Sequence, residues 1–372
     1  RPPRSTLFPY TTLFRSDDKP QADTFLLRRV RPTLEGKLGE KGEFRITPEF
    51  AGSSSTLLDA YGGYEFSSAL RLRIGKFKSP FGLERLQSGA DIRFIERAHP
   101  TSLAPNRDVG VQLSGDLAGG TVSYAIGGFN GVADGGSSVS DSDDGKDAVG
   151  RLFFSPFKNS DVVAVKGLGF GVAASYGDEQ GTASSSGLAS YRSPGQASVF
   201  SYRSSTNDAD NVIADGHRTR YSPQATWYAG PVGILGEYVV SSHEVTRGEQ
   251  SDTLDHEAWQ VAASVVLTGE DNSFRGIQPK KPFDPAKKQW GAFELVARYS
   301  ELNLDEQTFP TYADASKSVE SIQSTAIGLN WYLTRNLQSS LTYETSRFDG
   351  GASDDADRED ENVLFARFQV NF

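Results

Sequence analysis

Along most of this chain apolar and polar residues alternate one for one, and that pattern restricts the fold more than any motif does. Val109, Val111, Leu113 and Leu117 alternate with Asp108, Gly110, Gln112, Ser114 and Asp116. Ile327, Leu329, Trp331 and Leu333 interleave with Ala326, Gly328, Asn330 and Tyr332, and Leu364, Ala366, Phe368, Val370 and Phe372 with Phe365, Arg367, Gln369 and Asn371. Side chains of a strand point alternately to its two faces, so period two predicts ribbons with one greasy and one wet side. Fifteen such segments can be marked between residues 24 and 372, and helical spacing of apolar residues is weak throughout. Hydrophobic residues are only 37% of the chain. No apolar run approaches the roughly 20 residues that a membrane-spanning helix needs.

The connections alternate in length. Short ones fall at 39–42, 67–68, 118–120, 230–231 and 335–338, while long polar ones occupy 78–107, 131–146, 178–215, 244–254, 303–320 and 349–360. Tight turns on one side and long loops on the other are the layout of an outer-membrane β-barrel. Such barrels usually close with an even number of strands, so fifteen segments imply one more at the start and about 16 in the intact protein. That size leaves a water-filled lumen. The 78–107 connection then becomes the third long loop, expected to fold inward as a constriction.

The beginning of the chain accounts for the odd count. Arg1–Ser16 reads RPPRSTLFPYTTLFRS, which back-translates in one frame to a common short-read sequencing adapter. It is expected to be foreign to the protein, with residues 17–372 forming a single barrel domain whose first strand and leader are missing. The chain has no Met, consistent with that expectation.

Other classes are excluded by residue type. There is no Cys, and His99, His217, His243 and His256 have no metal-ligand spacing, so neither cofactor nor metal is expected. A formal charge of −10 argues against nucleic acid. Aromatics near strand ends, Tyr61, Tyr64, Trp227, Tyr228, Trp290, Tyr299, Trp331 and Tyr332, suit interfacial girdles. Phe372, closing an alternating strand, is similar to the signal read by bacterial barrel-assembly machinery.

Several stretches together carry a family likeness: LLRRVRPTLEG (26–36), LLDAYGGYEF (57–66), LRIGKFKSPFGLERLQSG (72–89), FIERAHP (94–100), NRDVGVQLSG (106–115), PKKPFDP (279–285), WGAFELVARYSELNL (290–304), GLNWYL (328–333) and FARFQVNF (365–372). In order and spacing the chain resembles the phosphate-selective porin O/P family from Asp17 to Phe372. The resemblance implies a 16-stranded barrel in the outer membrane of a Gram-negative bacterium, among lipid and lipopolysaccharide. It also implies a homotrimer that passes small anions such as phosphate, pyrophosphate or chloride by passive diffusion.

The basic residues fit that implication. Arg71, Arg73, Lys76, Lys78, Arg85, Arg93, Arg97 and Arg107 crowd one segment, opposed by Glu84, Asp91 and Glu96, within a chain that is acidic overall. Guanidinium suits phosphate because its planar fork donates two parallel hydrogen bonds and keeps its charge. The family pattern further matches an arginine pair at Arg28 and Arg29, an acidic partner at Asp59, and constriction-loop residues Arg85, Ser88 and Arg97. Strict alternation would turn Arg28 or Arg29 toward lipid, at a cost of about 2–4 kcal/mol near the midplane, so a bulge or a strand-end position is expected there. Two departures bear on selectivity: Arg85 stands where the pattern has Lys, and Gly89 follows Ser88 where it has a second Ser. Arg71 and Arg73, with Lys280, Lys281, Lys287 and Lys288 in a turn on the periplasmic side, form a candidate secondary basic path.

Competing readings make Glu84 and Glu96 simple braces for Arg85 and Arg97. The barrel could also pass sugars or other small solutes with little charge preference. An outer-membrane lipase would need a Ser-centred motif beside His99, and a soluble β-sandwich would need no detergent.

Overall fold

The computed structural model describes residues 4–16 and 25–372 apart from 53, 142, 206, 208 and 209; residue 24, where the first alternating segment was expected to start, lies outside them. Strands β1 (Arg4–Ser16), β2 (Phe25–Leu38), β3 (Gly42–Glu49), β4 (Thr56–Ser67), β5 (Leu70–Lys78), β6 (Arg107–Leu117), β7 (Val122–Phe129), β8 (Asp147–Phe154) and β9 (Gly169–Gln180) come first. A two-stranded hairpin, β10 (Tyr191–Arg192) and β11 (Ser198–Phe200), interrupts the series. The wall resumes with β12 (Ile213–Ala229), β13 (Val232–Arg247), β14 (Gln250–Val266), β15 (Ala292–Asn303), β16 (Val319–Tyr332), β17 (Leu337–Gly350) and β18 (Glu361–Asn371).

Apart from the hairpin, the strands form one closed antiparallel barrel in which each pairs with its sequence neighbours and β1 joins β18 to β2. All fifteen segments marked after Asp17 are staves of that barrel. The place where a strand was expected to be missing holds Arg4–Ser16, so the cylinder closes at sixteen. A ladder is made by backbone groups, and any extended stretch free to pair can supply one.

The pattern of burial is inverted relative to a water-soluble protein. On β12, Arg218, Arg220, Ser222 and Gln224 are buried while Tyr221 and Pro223 are exposed; on β15, Glu294, Arg298 and Ser300 are buried while Leu295 is exposed. Apolar outside and polar inside is what a strand needs when lipid bathes one face and an aqueous lumen the other. No helix among the described residues is long and apolar enough to cross a membrane.

The same alternation sorts the girdle candidates. Tyr64, Trp227, Trp290, Tyr299 and Trp331 lie on the exposed or half-exposed outer side. Tyr61, Tyr228 and Tyr332 are corrected to the interior: Tyr61 lines the lumen, Tyr228 faces Arg93, and Tyr332 donates to Glu294 at 2.7 Å. In Trp227-Tyr228 and Trp331-Tyr332 one member must face in if the other faces out.

Residues 79–106 fold into the barrel as expected of the third long loop, with two single turns, α1 (Leu83–Leu86) and α2 (Pro100–Leu103). A second inward segment was not expected. The connection after β9 carries its hairpin into the lumen, where Tyr191, Val199 and Phe200 pack with Phe77, Phe81, Leu103 and Phe129. This apolar cluster joins both inward segments to the wall inside the barrel. The expected long loop at 244–254 is instead a tight turn between β13 and β14, which pair up to Arg247 and Gln250.

Candidate functional site: an arginine-lined throat

Among the described residues, two adjoining chambers open in the lumen. The outer one, about 530 Å³, is lined by Arg28, Arg29, Arg31, Lys78, Arg85, Arg97, Arg107 and Arg192, with Glu96 and Asp134 the acids among its lining residues. The inner one, about 320 Å³, reaches Thr33, Arg45, Thr47, Asp59, Tyr61, Arg73 and Ser88. Arg31, Lys78, Gly89 and Arg107 border both, which places the throat at these residues.

The arginine pair enters the lumen through a bulge. Between β1 and β2, Phe8 faces Arg29 and Pro9 faces Leu27, leaving Arg28 as the extra residue. The outward-facing residues change parity across this point: Phe25 and Leu27 are exposed before it, Leu34 and Leu38 after it. A bulge of this kind lets two successive side chains share one face, so neither guanidinium meets lipid. Arg28 pairs with Glu96 of the constriction loop at 2.9 Å, and Arg29 donates to the Gly89 carbonyl at 3.2 Å. A Cβ added at Gly89 would lie 3.1 Å from Arg29 Nη1. The departure from Ser at position 89 therefore makes room for this guanidinium.

From the opposite side come Arg85 and Arg97. Arg85 donates to the Thr101 carbonyl; Arg97 donates to the Glu84 carbonyl and, at 2.9 Å, to that of Gln87. Lys78 donates to the carbonyls of Arg85 and Gln87 at 2.6 and 2.9 Å. Carbonyl oxygens orient these cations without cancelling their charge. Arg31 and Arg107 instead pair with carboxylates, Glu49 and Asp59 respectively, the latter at 2.8 Å. Asp59 thus serves Arg107, a partner the sequence reading did not assign. Ser88 lines the inner chamber and its Oγ accepts from Ala90 N at 3.2 Å.

Burial and the neighbouring Arg97 and Arg107 pull the Arg85 guanidinium down to about 9, still charged at neutral pH. Burial pushes the Glu96 carboxyl up, but Arg28 outweighs it and the net shift is downward, so Glu96 stays ionised. His99 is buried beside Arg298 and lowered to about 3, hence neutral. It pins the loop to the wall, its Nε2 bonding Ser324 Oγ at 2.9 Å and its N–H donating to Ser300 Oγ at 3.0 Å.

The candidate secondary path divides. Arg73 lines the inner chamber, bonds Glu43 at 3.3 Å and lies 4.3 Å over the Tyr61 ring. Arg71 pairs with Asp116 at 2.8 Å near the short-turn end of β5 and borders neither chamber. Lys280, Lys281, Lys287 and Lys288 are exposed on the connection after β14, Lys287 paired with Asp284 at 2.8 Å, and the structure does not bring them to the throat. The sequence reading did not single out Arg31 as a site residue; its signal was two-residue spacing from Arg29, which places both on one face. The roof of the outer chamber, Leu188–Gln196, left only a trace in the sequence, a few apolar residues inside a long polar loop.

Solved outer-membrane proteins share this fold. The chain superimposes on the outer membrane channel DcaP of Acinetobacter baumannii with a TM-score of 0.61 at 11% identity, over 100% of this chain and 96% of that one. The outer membrane protein OmpT of Vibrio cholerae, in its trimer form, gives 0.59 at 11% identity over 99% and 98%. An anion-selective porin from Comamonas acidovorans gives 0.57 at 10% identity over 99% and 100%. Among curated proteins none matches the sequence significantly. The family described as phosphate-selective porin O and P matches residues 11–372. With its sixteen-stranded wall, inward third loop and wet interior, the chain belongs to that family, a porin of the Gram-negative outer membrane and a channel rather than an enzyme.

Proposed function

We propose that this porin selects small anions at the throat formed by Arg28, Arg29, Arg31, Lys78, Arg85, Arg97 and Arg107. The observation that carries the reading is how these cations are held. Lys78, Arg85 and Arg97 are bonded to neutral carbonyls, so their charge remains available to a passing ion. Within the ~8 Å screening length at physiological salt, that charge acts on an ion passing the residues that line the chambers. Selection without trapping asks for several moderate contacts in sequence rather than one tight cage, and cations contributed by β2, by the third loop and by the ends of β5 and β6 supply such a series. Phosphate and pyrophosphate match the guanidinium fork, and chloride passes on charge alone.

Two assembly features belong to the same reading. The porin forms a homotrimer, as the trimer form of the Vibrio cholerae relative does, set among lipopolysaccharide. The exposed terminal Phe372 serves as the handle for barrel assembly.

Reversal potential across a planar bilayer under a KCl gradient tests the reading. An anion-selective sign is expected, with phosphate lowering chloride current in competition; a cation-selective sign refutes it. Absence of charge preference would favour the sugar-passing alternative.

A further inference from the structure

The constriction loop starts at Gly82 and α1, and its first two N–H groups meet a carboxylate from the far wall. Glu237 Oε1 accepts from Leu83 N at 2.7 Å and Oε2 from Glu84 N at 3.0 Å. Glu237 belongs to β13, 154 residues from Leu83 in sequence. Glu84 in turn accepts from Ala98 N at 2.9 Å, tying the outgoing limb of the loop to its return. Gln260 Nε2 reaches both carboxylates, at 3.3 Å to Glu84 and 3.4 Å to Glu237. Both acids are buried. Gly82 adopts φ 74°, and a Cβ there would sit 3.3 Å from Glu237 Oε1.

Two buried carboxylates side by side repel each other and lose hydration, so the arrangement must be compensated by what they bind. Here most of the compensation is backbone N–H, together with Arg298 3.8 Å from Glu84. A carboxylate fork that receives two successive N–H groups defines the direction of the turn as well as its place. That turn carries Arg85, and its carbonyls at Glu84 and Gln87 receive Arg97.

We infer that Glu237 is a positioning residue for the throat: its carboxylate holds the first turn of the constriction loop so that Arg85 and Arg97 face the ion path. The inference rests on the anion-selective reading above. It makes a prediction opposite in sign to simple electrostatics. Glu237 is a negative charge behind the throat, and neutralising it would by charge alone strengthen anion preference. As a peg, its loss loosens the loop and lets the two guanidinium groups leave the path. Glu237→Gln puts an NH₂ group where an acceptor faced an N–H, so anion preference falls.

The experiment measures reversal potential and single-channel noise for the parent, for Glu237→Gln and for Leu83→Pro. The proline removes one donor to Glu237 while leaving every charge in place. Proline is accommodated at the first position of a helical turn, and Gly82 at ψ 143° suits a following proline. Both variants are expected to lose at least twofold in anion-to-cation permeability and to show brief closures absent from the parent. A quiet Glu237→Gln channel with equal or greater anion preference overturns the inference, as does an unchanged Leu83→Pro channel. If Glu237→Gln does not fold, Leu83→Pro decides alone. A cation-selective parent would sink the anion-selective reading itself, which is a separate failure.

Discussion

Arginines on the two sides of this lumen are held in different ways. Three of them bridge to or from the β12–β18 wall through carboxylates: Arg93 of the constriction loop pairs with Glu294 at 2.9 Å, Arg298 with Glu344 at 2.8 Å, and Arg220 with Asp134 at 2.7 Å. All six side chains are nearly or fully buried. At the throat, Arg85 and Arg97 bond carbonyls and border open space. The first group anchors the loops and the second presents charge. Basic composition alone would not tell them apart: the wall arginines are buried on carboxylates, Arg85 and Arg97 border open space on carbonyls, and Arg28, Arg31 and Arg107 border it while paired with Glu96, Glu49 and Asp59.

The comparison can be broken at either end. The largest effect is expected for Glu294→Ala, which strands Arg93 in a buried site, where breaking such a pair typically costs about 3–5 kcal/mol. Denaturant unfolding of the refolded barrel would show it, and an unchanged midpoint would mean that the wall arginines are not structural. Arg97→Ala should leave that midpoint nearly unmoved while lowering anion-to-cation permeability roughly fivefold, the equivalent of about 1 kcal/mol, the order expected for one unit charge acting across a few ångströms of water. Unchanged selectivity in both Arg97→Ala and Arg85→Ala would reduce the throat to scaffolding.

Titration sharpens the same contrast. With His99 lowered to about 3 and Arg85 to about 9, neither changes charge between pH 5 and 8, and the difference in reversal potential between the parent and Arg85→Ala should be flat there. A cation loses its charge as pH rises through its pKa, so anion preference should decline above about pH 9, and less in Arg85→Ala. A steep change near pH 6 would contradict the assignment. The smallest effect belongs to Lys281→Ala with Lys288→Ala. Both side chains are exposed on the connection after β14, where salt screens them, and conductance should shift only at low ionic strength.

How much was legible in advance varied with the range of the interaction. Strict alternation would send Arg28 or Arg29 into lipid, a conflict visible within a few residues that a bulge or a strand-end position could resolve, and the structure resolves it with a bulge. Arg85, Arg97 and Ser88 were placed in the right loop by motif and parity. The family pattern makes Asp59 an acidic partner without saying of what; the cation it meets, Arg107, lies 48 residues away and no local signal names it. Tyr61, Tyr228 and Tyr332 were misplaced because aromatic residues near strand ends look alike until the outward parity of each strand is known. The inward hairpin at Tyr191–Phe200 escaped because a loop's burial depends on what it packs against, and here that is Phe77, Phe81 and Phe129 from other parts of the chain.

By itself the sequence determined the barrel and the inward fold of its third long loop. Those features follow from alternation and turn length, which are properties of neighbouring residues. Only the tertiary structure decided which arginines are neutralised and which keep their charge for the throat. Arg93 and Glu294 are 201 residues apart, and closing the cylinder is what brings them within bonding distance.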